Sequence, residues 1–96
     1  MFKITSGRGF HIKFKNGYTV SVQWGPGNYC DNYDYPISPE GFVDAGRLGS
    51  TTAECAVWRN GGELIERPGW NNTVSSYSTP EEVLELLNWA ASQPAT

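Results

Sequence analysis

The stretch "GFHIKFKNGYTVSVQW" (residues 9–24) decides the fold, because apolar and polar side chains alternate on both sides of an Asn-Gly pair. This pattern predicts a β-hairpin. A three-residue loop, 15–17, with Gly17 in the left-handed conformation, pairs Phe14 with Tyr18 and places the apolar side chains of both strands on one face. A two-residue loop would set apolar side chains beside polar ones, so burial favours the longer loop.

The other face of the predicted hairpin is polar and basic. It carries His11, Lys13, Thr19, Ser21 and Gln23. The first 30 residues contain Lys3, Arg8, Lys13 and Lys15 and no carboxylate, whereas all 10 carboxylates follow them. Two interpretations stay open: charge complementarity between neighbouring strands, or a local basic patch that binds an anionic ligand.

Shorter segments complete the predicted sheet. Strands are expected at 2–5, 52–58 and 73–77. A turn at 59–62 and a returning segment at 63–66 make a second hairpin, 52–66. In the first strand of that hairpin, the apolar side chains of Ala53, Cys55 and Val57 share one face.

One helix is expected near the C-terminus. Thr79, Pro80 and Glu82 form a capping box with proline in the first helical position, which predicts a helix over 80–91. Its expected buried stripe comprises Val83, Leu84, Leu87, Ala90 and Ala91. The sequence therefore predicts a single α+β domain over 1–96, with a mostly antiparallel sheet of about five or six strands packed against this helix.

Trp89 lies outside the predicted stripe, on the outer face of the helix. Two interpretations of an outward tryptophan stay open. It contacts a loop folded over the helix, or it contacts a partner protein or a second copy of the chain.

The long loop 25–50 is the predicted functional site. It shows no sustained alternation, and connections beyond about 12–15 residues are typically binding loops, lids or linkers. The stretch "QWGPGNYCDNYDYP" (residues 23–36) covers the end of the preceding strand and the first part of this loop. It is rich in aromatic rings and carboxylates. We predict a ligand site formed by this loop and the basic hairpin face, comprising Arg8, His11, Lys13, Trp24, Tyr29, Asp31, Tyr33, Asp34 and Tyr35.

The residue types of this site suit an anionic ligand with a flat ring. Aromatic side chains stack on nucleobases, basic groups attract phosphate, and a carboxylate accepts hydrogen bonds from a base or a ribose. The alternative is that two or three of these rings belong to the core, since a small domain needs large side chains to fill it.

Catalytic and metal chemistry have little support in the sequence. His11 is the one histidine, and a pair with Cys30 lacks any nucleophile motif. Asp31, Asn32 and Asp34 do not match the spacing of an EF-hand loop, and such residues more often cap turns. We therefore expect a non-catalytic binding protein without a cofactor or a metal.

Composition excludes two further classes. The net charge of −3 argues against general nucleic-acid binding, and no run of about 18 apolar residues predicts a membrane span. No secretory signal is recognisable at the N-terminus, so the expected location is the cytoplasm, where Cys30 and Cys55 stay reduced. One disulfide between them remains an alternative.

Three segments together resemble a known group of proteins. "GFHIKFKNGYTVSVQWGPGNYCDN", "TAECAVW" with its turn and "ELIE", and "STPEEVLELLNWA" are similar in order and spacing to short proteins encoded by tailed bacteriophages. The resemblance covers about half of the chain and transfers no functional residue. It implies a phage accessory protein in the bacterial host cytoplasm that inhibits host defence, either by sequestering a nucleotide signal or by blocking a host protein. From the residues themselves, the alternative is a protein-interaction inhibitor or a homo-oligomer that uses Trp89 and the acidic surface.

Overall fold

The structure, a computed structural model, describes residues 1–5, 8–33 and 49–95. Within these ranges, five strands form one antiparallel sheet in chain order, and one helix follows them. The elements are β1 Phe2–Ile4, β2 Gly9–Lys13, β3 Thr19–Gln23, β4 Ala53–Trp58, β5 Val74–Ser78 and α1 Pro80–Ser92. The helix packs on β3, β4 and β5, so the predicted α+β class with one C-terminal helix is confirmed. Within the described ranges, no helix has the length and apolar character needed to cross a membrane.

The register of the first hairpin is the predicted one. Ile12 lies opposite Val20, and the Phe14 amide donates to the Tyr18 carbonyl at 2.9 Å. The Gly17 amide donates to the Phe14 carbonyl at 3.1 Å, and the φ of Gly17 is 93°. The three-residue loop is thus formed as burial of the apolar face requires.

The core lies between this apolar face and the helix. Its buried members are Tyr18, Val20, Val22, Ala53, Cys55, Val57, Leu86 and Ala90. The predicted shared face of Ala53, Cys55 and Val57 is confirmed. Phe2 and Ile4 of β1 pair with Ile12 and Phe10 and so share the face of the core. They are nevertheless 77% and 80% exposed, since the helix packs on β3, β4 and β5 and does not extend over β1.

The predicted stripe of the helix was wrong at two positions. Leu84 is 58% exposed and Ala91 is exposed, whereas Leu86 is 2% exposed. The helix carries apolar side chains on more than one side, so its periodicity alone did not fix which side faces the sheet. Trp89 packs against Tyr18 and thereby turns Leu86 toward the core.

The second predicted hairpin is also different in the structure. Instead of a strand at 63–66, there is an isolated bridge between Trp58 and Leu64. The neighbouring edge of β4 is occupied by β5, which pairs with Ala53, Cys55 and Ala56. Since β3 pairs with one edge of β4 and β5 pairs with the other, no edge of β4 is left for a long pairing with the returning segment 63–66.

Both ends of the helix are fixed by side chains. Thr79 and Glu82 form the predicted capping box at the N-terminus. At the C-terminus, the Asn16 amide nitrogen donates to the Ala90 carbonyl at 2.7 Å and to the Gln93 carbonyl at 2.8 Å. The Ala90 carbonyl also accepts the Gln93 amide at 3.3 Å, so the loop of the first hairpin adds hydrogen bonds to the last carbonyl groups of the helix and its cap.

Candidate functional site

The first part of the long loop, residues 24–33, is held by its own polar groups. The Gly25 amide donates to Asn32 Oδ1 at 2.9 Å, and the Cys30 thiol donates to the same oxygen at 2.9 Å. The Asn28 side chain donates to the Trp24 carbonyl at 3.1 Å. Asn32 therefore orders the loop, as expected of an asparagine that caps a turn.

Backbone groups of this loop also bind the end of the sheet. The Tyr29 amide donates to Glu54 Oε2 at 3.0 Å, and the Asp31 amide donates to Thr52 Oγ1 at 2.9 Å. The Tyr29 carbonyl accepts from the Tyr77 amide at 2.9 Å. These contacts fix the loop where β3 ends and β4 begins.

Tyr29 and Tyr33 lie on the surface of the loop and not in the core. They are 53% and 42% exposed, and their rings stack in parallel with centroids 5.6 Å apart. Tyr77, whose backbone contacts Tyr29, is 52% exposed and has a φ of 52°. The loop therefore presents an exposed tyrosine cluster, which we define as Tyr29, Tyr33 and Tyr77.

Trp24 occupies a different environment from the tyrosines. It packs against the core and lines an apolar cavity of about 420 Å³ between β3, β4 and the start of the helix. The described residues around this cavity include Val22, Ala53, Pro80 and Val83 and no charged side chain. Of the predicted aromatic residues, Trp24 thus fits the core alternative.

The predicted basic residues do not converge on the loop. Arg8 reaches it, with Nη1 donating to the Pro26 carbonyl at 3.4 Å. Lys13 pairs with Thr19 beside the hairpin loop, four positions along β2 from Gly9, which is about 13 Å along the strand. The site predicted as one unit is therefore divided between the loop and the sheet.

The remaining predicted residues can be placed only in part. Asp31 is exposed and its backbone amide fixes the loop. Asp34 and Tyr35 lie outside the described residues.

His11 and Lys13 belong to the face of the sheet opposite the helix, which we call the helix-free face. Lys3 pairs with His11 across β1 and β2, and Trp58 pairs with Thr19 across β3 and β4. The rings of His11 and Trp58 meet edge to face, with centroids 5.0 Å apart at 84°. Three basic side chains and a large aromatic ring thus share the helix-free face.

The electrostatics of this surface favour a neutral His11 at pH 7. Partial burial lowers the pKa of His11 below its usual 6.5, and the positive charge of Lys3 lowers this pKa further. A neutral imidazole offers one donor and one acceptor. An anion bound beside it would oppose the effect of Lys3 and favour the protonated form.

Trp58 is the residue of this surface that our sequence reasoning missed. A signal for it was present, because the alternation that buries Ala53, Cys55 and Val57 necessarily turns Trp58 to the opposite face. The stretch also places Trp58 at the end of a strand, beside the turn.

Neither cysteine has the environment of a reactive thiol. Cys30 and Cys55 are free and each is 1% exposed. Burial raises the pKa of Cys55 to about 11, against a hydrogen bond with Ser78 that lowers it, so Cys55 stays protonated at pH 7. His11 contacts Trp58 rather than Cys30. The described ranges contain no group of His, Cys, Asp or Glu suited to a metal ion.

Trp89 contacts a loop of the same chain. Its ring packs edge to face against Tyr18 at 6.0 Å, and the Arg67 guanidinium carbon lies 5.6 Å from its centroid. Trp89 is half-buried. These contacts fit the interpretation of Trp89 as meeting a loop folded over the helix, and its contact with a partner protein or a second copy stays a prediction.

Comparison with family models, with curated proteins and with solved structures finds no match to this chain.

Proposed function

We propose that the protein is a non-catalytic binding protein that holds a small anionic molecule with a flat ring, of the nucleotide type, on its helix-free face. The main support is the grouping of Lys3, His11 and Lys13 with Trp58 on that face. Stacking of a base on an aromatic side chain contributes about 1–3 kcal/mol. The lysines supply the charge that a phosphate group requires.

The lysines of this face are available to a ligand. Both are exposed, and neither Lys3 nor Lys13 forms an ion pair within the described chain. Glu54 shares the face through its pairing with Gln23. That carboxylate lies at the end near the loop, where it accepts the Tyr29 amide, so it does not neutralise the lysines.

Calorimetric titration with ATP, adenosine and tripolyphosphate at low salt tests this proposal. We expect ATP to bind more tightly than either fragment, because only ATP offers both a base and phosphates. Trp58→Leu should weaken ATP binding about tenfold, from the lost stacking. Lys13→Gln should weaken it less and reduce its salt dependence.

Arg59→Gln is the matched control for the loss of one positive charge. The Arg59 guanidinium lies over the Tyr18 ring, on the helix side of the sheet, so ATP affinity should be unchanged. If ATP binds the wild type and Trp58→Leu with equal affinity, the helix-free face is not the binding site. Absence of ATP binding together with no nucleotide co-purifying at 260 nm would reject the nucleotide class.

The biological setting rests on the resemblance to phage proteins alone. We propose that the protein acts in the cytoplasm of an infected bacterium and inhibits a defence system by sequestering its nucleotide signal. Expression of this protein in a bacterium whose defence system uses a nucleotide signal should raise the yield of an infecting phage. The Trp58→Leu variant, produced at the same level, should not.

A second candidate function is binding of a host protein through the exposed tyrosine cluster. Tyrosine is enriched at interfaces because it buries a large area with few rotatable bonds. Tyr29 and Tyr33 sit on a loop already fixed by hydrogen bonds, so little conformational entropy is lost on binding.

Pull-down from bacterial lysate distinguishes this candidate. The test variant carries both Tyr29→Ser and Tyr33→Ser, and the control is Leu64→Ser, which changes another exposed apolar side chain. A partner that binds the wild type and the control but not the test variant would support this candidate. Sedimentation velocity of the same variants tests a homo-oligomer through this cluster. An unchanged set of captured proteins and an unchanged sedimentation coefficient would count against both.

A further inference from the structure

A polar cleft of about 410 Å³ lies on the helix side of the sheet, away from the helix-free face. Its walls are the loop 67–72, strand β5 and helix α1. A volume of this size is within the usual range of about 300–1,000 Å³ for small-molecule sites. The side chains that line the cleft include Arg67, Trp70, Asn71, Asn72, Ser76 and Glu85.

The loop wall is anchored on the core. Trp70 packs against the core cluster, and its amide donates to the Arg67 carbonyl at 2.9 Å. The Arg67 guanidinium lies over the Trp89 ring, which itself packs on Tyr18. The cleft is therefore supported before any ligand enters, which lowers the entropy lost on binding.

Several polar groups of this cleft have no partner among the described residues. Arg67 Nε is buried and makes no hydrogen bond there. Asn72 Oδ1 accepts the Thr73 amide at 2.7 Å, which leaves its amide nitrogen without a described acceptor. The side chains of Asn71, Ser76 and Glu85 make no hydrogen bond within the described chain.

Such unused groups define the chemistry of a suitable ligand. Arg67 Nε has almost no exposed surface, so a ligand would meet the terminal nitrogens of that guanidinium. The exposed side chains of Asn71, Ser76 and Glu85 would exchange hydrogen bonds with water for hydrogen bonds with the ligand. Glu82 and Glu85 both line the cleft against the single guanidinium of Arg67, which disfavours an anion. The groups include donors and acceptors, and a hydroxyl group can serve either.

We propose that this cleft binds a neutral sugar, with the ring against Trp70 and the hydroxyl groups hydrogen-bonded to Arg67, Asn71 and Glu85. Trp70 supplies the apolar wall that the C–H face of a sugar ring requires. The inference does not depend on the helix-free face, since the two sites share no residue.

Titration of the ¹⁵N-labelled full chain with glucose, galactose, N-acetylglucosamine and maltose tests the proposal by NMR. At least one sugar should shift the indole N–H of Trp70 saturably and leave that of Trp58 in place. Glu85→Gln and Asn71→Ala should each weaken the affinity for that sugar about three- to tenfold, as expected for one lost hydrogen bond. Trp70 is not substituted, because it packs against the core.

Matched controls are available on the same helix. Glu81→Gln and Asn88→Ala change exposed residues that do not line the cleft, so they should alter the affinity less than twofold. No shift of Trp70 by any of the four sugars at about 50 mM, a concentration that reveals a millimolar Kd, would overturn the proposal. So would equal affinities in Glu85→Gln and the wild type, or a shift of Trp70 by phosphate alone.

Discussion

The two faces of the sheet differ in how their residues are buried. On the helix face, Val20, Val57 and Leu86 are between 0% and 2% exposed and make a continuous apolar contact. On the helix-free face, Thr19 and Ser21 are each 8% exposed although they are polar, beneath a face on which the rings of His11 and Trp58 meet. The first face contributes most to stability, whereas the second keeps charged and aromatic groups available for binding.

Truncation at the centre of the helix face should have the largest effect on stability. Leu86→Ala removes a side chain that is 2% exposed, and such changes cost about 2–5 kcal/mol in the free energy of unfolding. Leu84→Ala is the control, because Leu84 is on the same helix and 58% exposed; it should change stability by less than about 0.5 kcal/mol. Equal urea midpoints for the two variants would contradict the observed orientation of the helix.

The link between the first hairpin and the helix should have the next largest effect. Asn16→Ala removes hydrogen bonds to the Ala90 and Gln93 carbonyls and the acceptor of the Tyr18 amide. Each such bond contributes about 0.5–1.5 kcal/mol, so we expect a loss of about 2 kcal/mol in urea unfolding. Asn60→Ala, in the exposed turn after β4, should be nearly silent. A similar loss of unfolding free energy in both variants would show that the hydrogen bonds of Asn16 to the helix do not contribute to stability.

The contrast between hairpin and helix shows what the sequence could reveal. The register of residues 9–24 was predictable because a shift by one position would expose every apolar side chain. The side of the helix that faces the sheet was not, because Leu84 and Leu86 are both apolar and the choice depends on Trp89 meeting Tyr18. The dual role of Asn16 was also hidden, since its contacts are 74 and 77 residues away.

The candidate site was predicted less well than the fold, for a related reason. The sequence correctly marked the loop from Trp24 onward as unusual, but it could not show that Tyr29 and Tyr33 stack on each other. Lys13 was assigned to the same site because the whole basic face of the hairpin was assumed to lie close to the loop. Along an extended strand that assumption fails within a few residues.

Alkaline pH should reveal the burial of Cys55 beneath the helix. The folded-state pKa of Cys55 is raised to about 11 from 9.0, so the unfolded chain loses its proton first. Stability should therefore fall as pH rises above 9, by at most about 1.4 kcal/mol per pH unit. The measurement is the free energy of unfolding at pH 8 and at pH 10, and its decrease between these pH values should be smaller in Cys55→Ala than in the wild type. The same alkaline loss in the variant and the wild type would show that the thiol does not contribute.

Acid pH should produce the smallest effect, on the helix-free face. The folded-state pKa of His11 is lowered by burial and then by Lys3, so the unfolded chain binds the proton more readily. Stability should decrease as pH falls through about 6.5, and His11→Gln should lack this component. Lys3→Gln should raise the pKa of His11 in an NMR titration, though only in part, because burial is the larger cause.

The same titration connects the acid effect to the proposed ligand. A phosphate group held between Lys3 and Lys13 would raise the pKa of His11, so ATP should bind more tightly as pH falls from 7 to 6. Protonation of the ligand's own phosphate over the same range removes negative charge and opposes this increase, and His11→Gln separates the two contributions. If ATP leaves the pKa of His11 unchanged while it still binds, the ligand lies elsewhere, and the difference between the two faces concerns stability alone.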